Sequence, residues 1–214
     1  MVVDVVFLIY VKKEKMNLRI FNDFVEKFDK PGAIVLLEGK RNVKPGDEDK
    51  LIRVGKLLAE NSTHITFRSG NAKGADELFT QGVCSVNPSR MEVITPYTDH
   101  RKKTNHAGTT YSLDKIDIVN EPQVIYQSKA NKKNAGLIEQ YASGATNSSA
   151  QKGAYIIRDT IKVIGTKDIP KASFGIFYID TSEPESGGTG HTMMVCKNNG
   201  VMLITQTTWF YWLI

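Results

Sequence analysis

Two glycine-rich stretches carry the residues whose types and spacing could do chemistry. The first runs Ser69-Gly70-Asn71-Ala72-Lys73-Gly74-Ala75-Asp76, the second Ser186-Gly187-Gly188-Thr189-Gly190-His191-Thr192. Each follows a β-rich run, Ile65-Thr66-Phe67 in one case and Phe174 to Ile179 in the other. Each precedes a stretch able to form a helix, Ala75 to Val83 and Thr192 to Cys196. A strand, a tight turn and a helix N-terminus together make a place for an anion. The first-turn N–H groups have no intrahelical acceptor, and the helix dipole favours negative charge there. Glycine suits such a turn because a Cβ would block the close approach of a phosphate. The expectation is that both turns meet on one edge of a parallel sheet and hold a phosphate-bearing ligand.

Other side chains fall into place around these turns. Glu38-Gly39-Lys40-Arg41 follows the apolar run Ala33 to Leu37, at the strand end where open α/β sheets usually bind ligands. Gly39 permits the turn, and Lys40 and Arg41 could reach a phosphate. Lys73 could pair with phosphate, and Asn71 and Asp76 could accept from ribose hydroxyls; for Asp76 a charge at a helix start is an equal reading. His191 is a candidate acid or base, or else a donor to bound phosphate. The loop His100-Arg101-Lys102-Lys103 with His106 is basic enough to touch a polyanion, though a charge run more often forms a solvated face. Its two histidines have no neighbouring cysteines or carboxylates, and no metal is expected. Cys84 and Cys196 lack metal-ligand spacing and read as free thiols of a reducing, cytoplasmic compartment.

The elements that must position these groups alternate between strand and helix. Apolar residues at helical spacing from Ile20 to Phe28 predict a helix ended by Pro31-Gly32. Ala33 to Leu37 reads as a strand buried on both faces. Asp47 to Glu60 is helical, with Leu51, Val54 and Leu58 on its apolar stripe and acidic residues in its first turn. Met91 to Thr95 is a short strand stopped by Pro96. Between Asp114 and Ala150 the pattern is weak: a helix is expected over Ala130 to Tyr141 and a loop over Ser143 to Ser149. Gln151 to Val163 is helical, Ser173 to Ile179 a strong strand, and Gly200 to Thr205 another. The aromatic tail Trp209 to Trp212 is expected to pack into the core rather than to stack on bases. The fold class is α/β, a Rossmann-like doubly wound, mostly parallel sheet with helices on both faces.

The 214 residues suit one domain, assigned to 16–214. Lys and Arg outnumber Asp and Glu by 28 to 23, a mild basic excess that fits a phosphate-bearing partner without requiring one. Met1 to Tyr10 is nearly continuous in apolar residues, about half of the roughly 20 needed to span a bilayer. Its positive charges follow the apolar run instead of preceding it, unlike a secretory signal. Residues 1–15 read equally as a non-native extension before Met16 or as an extra edge strand.

The turns taken together resemble the SLOG superfamily, a Rossmann-like group that includes the DNA-processing protein A (DprA-like) family and the Lonely Guy enzymes. Ser69 to Asp76 is similar to the Ser-Gly-x-Ala-Arg-Gly-x-Asp signature of DNA-processing protein A, with Lys73 at the arginine. Gly39-Lys40-Arg41 is similar to that family's Gly-Ser-Arg turn, and Gly187 to Thr192 resembles the second glycine motif of the superfamily. The resemblance covers most of Ala33 to Leu213, with the middle poorly matched. It implies a nucleotide or nucleotide-derived ligand at the strand ends, bound by Gly39, Lys40, Arg41, Ser69, Gly70, Asn71, Lys73, Gly74, Asp76, Gly187, Gly188, Thr189, Gly190, His191 and Thr192. It also suggests a homodimer by analogy. No cofactor is required.

Two function classes stay open. One is a binding module for a nucleotide, a nucleotide-derived signal or single-stranded DNA, as in DNA processing or recombination. The other is a Lonely Guy-like hydrolase of a nucleotide's N-glycosidic bond. Lonely Guy enzymes carry a catalytic glutamate in Pro-Gly-Gly-x-Gly-Thr-x-x-Glu; here Ser186 stands at the proline, His191 at the threonine and Met194 at the glutamate. A methionine can hold no proton. Asp76, Glu77, Asp180, Glu183 and His191 are the remaining candidates for acid–base work, His191 and Asp76 foremost, and turnover is the less favoured class.

Overall fold

The computed structural model describes residues 16–214, so the expectations for 1–15 lie outside the described residues. Six strands form one sheet: β1 (Ile34–Gly39), β2 (Thr66–Ser69), β3 (Met91–Thr95), β4 (Thr109–Ser112), β5 (Phe174–Tyr178) and β6 (Met202–Thr205). Their order is β4-β3-β2-β1-β5-β6, and every pairing is parallel. The chain winds outward from β1 to β4 and then returns to lay β5 on the other side of β1. The direction of winding therefore reverses between β1 and β5, which makes that crevice the topological switch point.

Helices cover both faces. α1 (Phe21–Phe28), α2 (Glu48–Glu60), α3 (Ala75–Cys84) and α8 (Gln206–Trp209) pack on one side; α4 (Pro122–Ser128), α5 (Ala135–Ala142), α6 (Ser148–Ile164) and α7 (Gly187–Asn198) lie on the other. The alternation of a strand is visible in β1. Val35 and Leu37 join Phe24, Leu51, Val54, Phe67 and Phe79 in one core, while Ile34 and Leu36 join Val163, Phe177 and Val195 in the other. A further cluster around Leu113, Val124, Ile138 and Ile157 holds α4 and α5 to α6.

The aromatic tail packs inward as expected. Trp209 is fully buried and donates Nε1–H to the Phe177 carbonyl at 3.0 Å, and Trp212 donates to Leu18 O. Among the departures from the expectations, three bear on the site and the sheet. β4, built from Thr109-Thr110-Tyr111-Ser112, has no apolar run to announce it, because an edge strand half open to solvent needs none. α6 begins at Ser148, inside the stretch expected to be a loop, where the Asn147 side chain accepts from Ala150 N–H as an N-cap. α7 begins at Gly187, so the second glycine stretch is itself the first helical turn.

Candidate functional site

A cleft of about 800 Å³ opens over the C-terminal end of β1. It is bounded by the turn after β1 (Gly39, Lys40, Arg41), the start of α7 (Gly187 to His191) and the flank of α6 (Lys152, Tyr155, Arg158, Asp159, Lys162). A recess of about 180 Å³ adjoins it on the far side of Thr189, sharing Lys40, Arg41 and Ser186. Another cleft, about 690 Å³, lies over the ends of β3 and β4; His100 and Lys102 of the basic loop line it, but no residue of the glycine stretches does.

The start of α7 is the open side of the first cleft. Ser186 holds the extended N-cap conformation, yet its side chain makes no capping hydrogen bond. The first N–H to be satisfied is that of Gly190, which donates to Ser186 O at 3.0 Å; those of Gly187, Gly188 and Thr189 find no acceptor among the described residues. Gly188 is exposed, and Gly187 has a positive φ of 63°. Gly190 is there for a different reason: a Cβ would lie 2.0 Å from Glu185 O, where the loop folds under the helix. Thr192 is buried and back-bonds to Gly188 O.

The first glycine turn is closed. Gly70 is buried, and a Cβ on it would fall 1.7 Å from an Arg158 guanidinium nitrogen. That same nitrogen donates to Gly70 O at 2.7 Å. Asp76 takes up the amides of the turn: Oδ1 accepts from Gly39 N–H at 3.1 Å, and Oδ2 accepts from Gly70 N–H at 3.2 Å and Ala72 N–H at 3.4 Å. Gly74, at φ 92°, lets the turn press against the Arg41 backbone, which a Cβ would strike at 2.1 Å. Asn71 donates to His100 O, and Arg101 reaches Asn71 O and pairs with Glu77 at 3.0 Å. The basic loop is thus folded over the turn at Arg101 and His100, not solvated there. Ser69 is buried, and Lys73 is exposed and outside the cleft lining. Of the two turns expected to be open, Gly70 is enclosed and Gly188 is exposed. The Gly70 and Ala72 amides are taken by Asp76 and the Gly70 carbonyl by Arg158, so this turn fastens the β1 and β2 strand ends together.

The two glycine stretches do converge, and α6 is what they converge on. Gly70 abuts Arg158, while a Cβ on Gly188 would come within 2.9 Å of Asp159 Oδ2. Arg158, Asp159 and Lys162 all lie within the buried face of α6, and all three are at most 5% exposed. Lys162 Nζ binds Asp159 Oδ1 at 2.8 Å and also binds Glu38 Oε2. Arg158 Nε lies 3.2 Å from Asp159 Oδ1. Burial alone would lower Lys162, but the Asp159 and Glu38 carboxylates outweigh it and hold the ammonium charged. Burial would likewise raise Asp159, but Arg158 and Lys162 overcome it and keep it ionised. Glu38 goes the other way: burial pushes it up to about 8, with Lys162 only partly opposing.

His191 also lines the cleft, 5% exposed. Its Nε2 lies 2.9 Å from Thr160 Oγ1, which receives Ser128 Oγ–H and passes its own proton to Ile156 O. The hydroxyl has one proton to give, so His191 Nε2 is assigned as the donor and Nδ1 carries the lone pair. Nδ1 is buried with no partner among the described residues. Burial lowers the His191 pKa, with Asp159 partly opposing, so the ring is neutral. Lys40 bonds Asp180 at 2.8 Å, and that bond, with help from Ser182, holds Asp180 well below the usual carboxylate range. Arg41, Lys133 and Lys152 line the cleft and enter no ion pair among the described residues.

Glu38, Arg158, Asp159 and Lys162 are absent from the residues the sequence singled out as a site. A signal was present: charges at 158, 159 and 162 interrupt the apolar set Ala154, Ile157, Ile161 and Val163 of an otherwise amphipathic helix. Charges on a buried face are rare unless paired.

Among the described residues no group of three or more His, Cys, Asp or Glu side chains could hold a metal, and no helix is long and apolar enough to cross a membrane. Cys84 and Cys196 are free, and burial pushes their thiols up to about 11 and about 12. No family model and no curated protein matches the chain. Among solved structures it is similar to that of "DNA processing protein A from Helicobacter pylori", described for a "unique single-stranded DNA binding mode". The identity is 14% over 84% of this chain and 67% of that one, with a TM-score of 0.45.

Proposed function

We propose that this protein binds a phosphate-bearing, nucleotide-type ligand, either a small nucleotide or a stretch of single-stranded DNA, in the cleft between β1, α6 and α7. The observation that carries this reading is the uncapped start of α7. Three unsatisfied backbone N–H groups open onto the switch-point crevice, and Arg41, Lys133 and Lys152 stand around it without carboxylate partners. A phosphate there would gain the amides and the helix dipole together. Two tests check it. Mass spectrometry of small molecules released from the purified, heat-denatured protein should reveal a nucleotide. Titration with mononucleotides and a short single strand should show saturable binding at low salt. Absence of both would overturn the reading.

A second reading, hydrolysis of a nucleotide's N-glycosidic bond, gains support from one feature. Glu38 and Asp159 share Lys162, and their surroundings push their proton affinities in opposite directions, the usual condition of an acid–base pair. Asp76, by contrast, has both oxygens engaged by backbone amides. Incubation with nucleoside monophosphates followed by chromatography tests for free base; none above the blank, with the nucleotide recovered intact, rejects turnover.

A further inference from the structure

Glu38 is the unusual group of the cleft. It is 3% exposed, lines the floor, and has one oxygen engaged and one idle. Oε2 accepts from Lys162, whereas Oε1 is buried without a partner among the described residues. An ionised carboxylate with a desolvated, unpaired oxygen is costly.

Charged groups from several elements pack against Glu38. α6 supplies Arg158, Asp159 and Lys162, and α3 supplies Asp76. On β2, Arg68 is neutralised by its own buried pairing with Glu92 of β3. From α7 come the neutral His191 and the protonated Cys196 thiol. Two cations then face three carboxylates. Full ionisation leaves one surplus negative charge buried in the network that reaches the start of α7 through Lys162 and Asp159. One proton on Glu38 removes it. Because Oε2 already accepts from Lys162, that proton sits on Oε1, the oxygen that has no partner.

We propose that Glu38 is a neutral acid when an anion sits at the start of α7, the anion and this proton being coupled through the buried Glu38–Lys162–Asp159 network that abuts Gly188. The inference rests on the reading of the cleft as a phosphate site. The chemistry it names for the ligand is an anionic group at the amides of Gly187 to Thr189. An anion placed there repels a second negative charge on Glu38, so binding retains the proton and ionisation of Glu38 expels the anion. Burial pushes Glu38 up to about 8, which puts the loss of affinity above neutral pH.

The test uses probes whose own charge is constant, AMP and a short deoxyadenosine strand, titrated calorimetrically from about pH 7 to about pH 9.5, above the range where phosphate monoesters titrate. For the wild-type protein, affinity should be flat near neutrality and then fall about tenfold per pH unit once Glu38 ionises, with uptake approaching one proton per ligand at the upper end. Proton uptake is read from the wild-type protein in two buffers of different ionisation heat, so this arm needs no variant. Glu38→Gln keeps a neutral donor of the same shape. It should bind within about threefold of wild type near pH 7 and lose the pH dependence, since only the ionisable group has been removed. Two outcomes overturn the role of Glu38 while leaving the phosphate site standing: wild-type affinity that tracks Glu38→Gln at every pH, or binding at the upper pH without proton uptake. Failure of both probes to bind the wild-type protein at any pH overturns the phosphate site itself, and this inference with it.

Discussion

Gly70 and Gly188 look alike in the sequence and are opposites in the fold. A side chain at 70 has to displace a buried guanidinium, while one at 188 meets only the edge of Asp159 at an exposed helix start. Gly70→Ala should therefore cost about 3 kcal/mol, combining overpacking with loss of a charged hydrogen bond. Gly188→Ala should cost less than about 1 kcal/mol, since alanine favours the helix, but should weaken ligand binding. Urea denaturation curves and ligand titrations of the two variants check the split; equal stability losses would contradict it. Glu38 gives a second prediction. Its folded-state proton affinity is raised, so the stability it confers is complete below the unfolded carboxyl range, near 4.5, and is lost as pH rises through about 8. The urea midpoint of the wild-type protein should fall over that window, and that of Glu38→Gln should fall less. Burial and the nearby Arg158, Arg101 and Arg41 charges hold His100 down at about 4, and His191 is lowered too, so neither competes as the source of a shift near pH 8.

At the scale of elements, the Asp76 carboxylate joins two strand-end turns to one helix. It satisfies Gly39, Gly70 and Ala72 N–H groups that no other described group reaches, and Ala75 N–H completes the join by donating to Lys40 O. Asp76→Ala should destabilise by about 2–4 kcal/mol, because buried donors are left without acceptors, and Asp76→Asn by less, because one oxygen remains. Chemical denaturation measures both; a smaller loss for alanine than for asparagine would refute the clamp. α8 depends on Trp209, which is fully buried against Phe79 and Phe210 and bonded to β5. Trp209→Ala should cost about 3–5 kcal/mol by the same measurement.

At the scale of the molecule, the winding of the sheet decides which loops share a cleft. Reversal between β1 and β5 sets the turn after Gly39 beside the start of α7, and α6 crosses to close the third side. Arg41, Lys133 and Lys152 come from three separate segments, and together they make the cationic rim. If a single strand binds there through these three, the slope of log affinity against log salt should be about −2. A slope near zero in a fluorescence titration would exclude phosphate contacts by this rim. Arg41→Ala should reduce the slope's magnitude by about 0.7.

The sequence by itself determined the alternation of apolar strands and amphipathic helices, and with it a parallel α/β sheet whose loops gather at one edge. Val35 and Leu37 on one face with Ile34 and Leu36 on the other leave few alternatives, because a run buried on both sides needs helices on both sides. It also located the two glycine turns, since glycine at 39, 74 and 190 answers to backbone contacts a side chain would break. Local pattern could not show β4, whose polar residues carry no burial signal, nor the start of α7, where glycine reads as a loop. Which glycine turn stays open was beyond it altogether. That depends on Arg158 and Asp159, more than eighty positions after Gly70 and some thirty before Gly188. Only the packing of α6 across the strand ends puts a guanidinium on one turn and leaves the other to solvent. The same packing buries Glu38 against Lys162, and a carboxyl's affinity for its proton is set by what surrounds it in space, not by its neighbours in the chain.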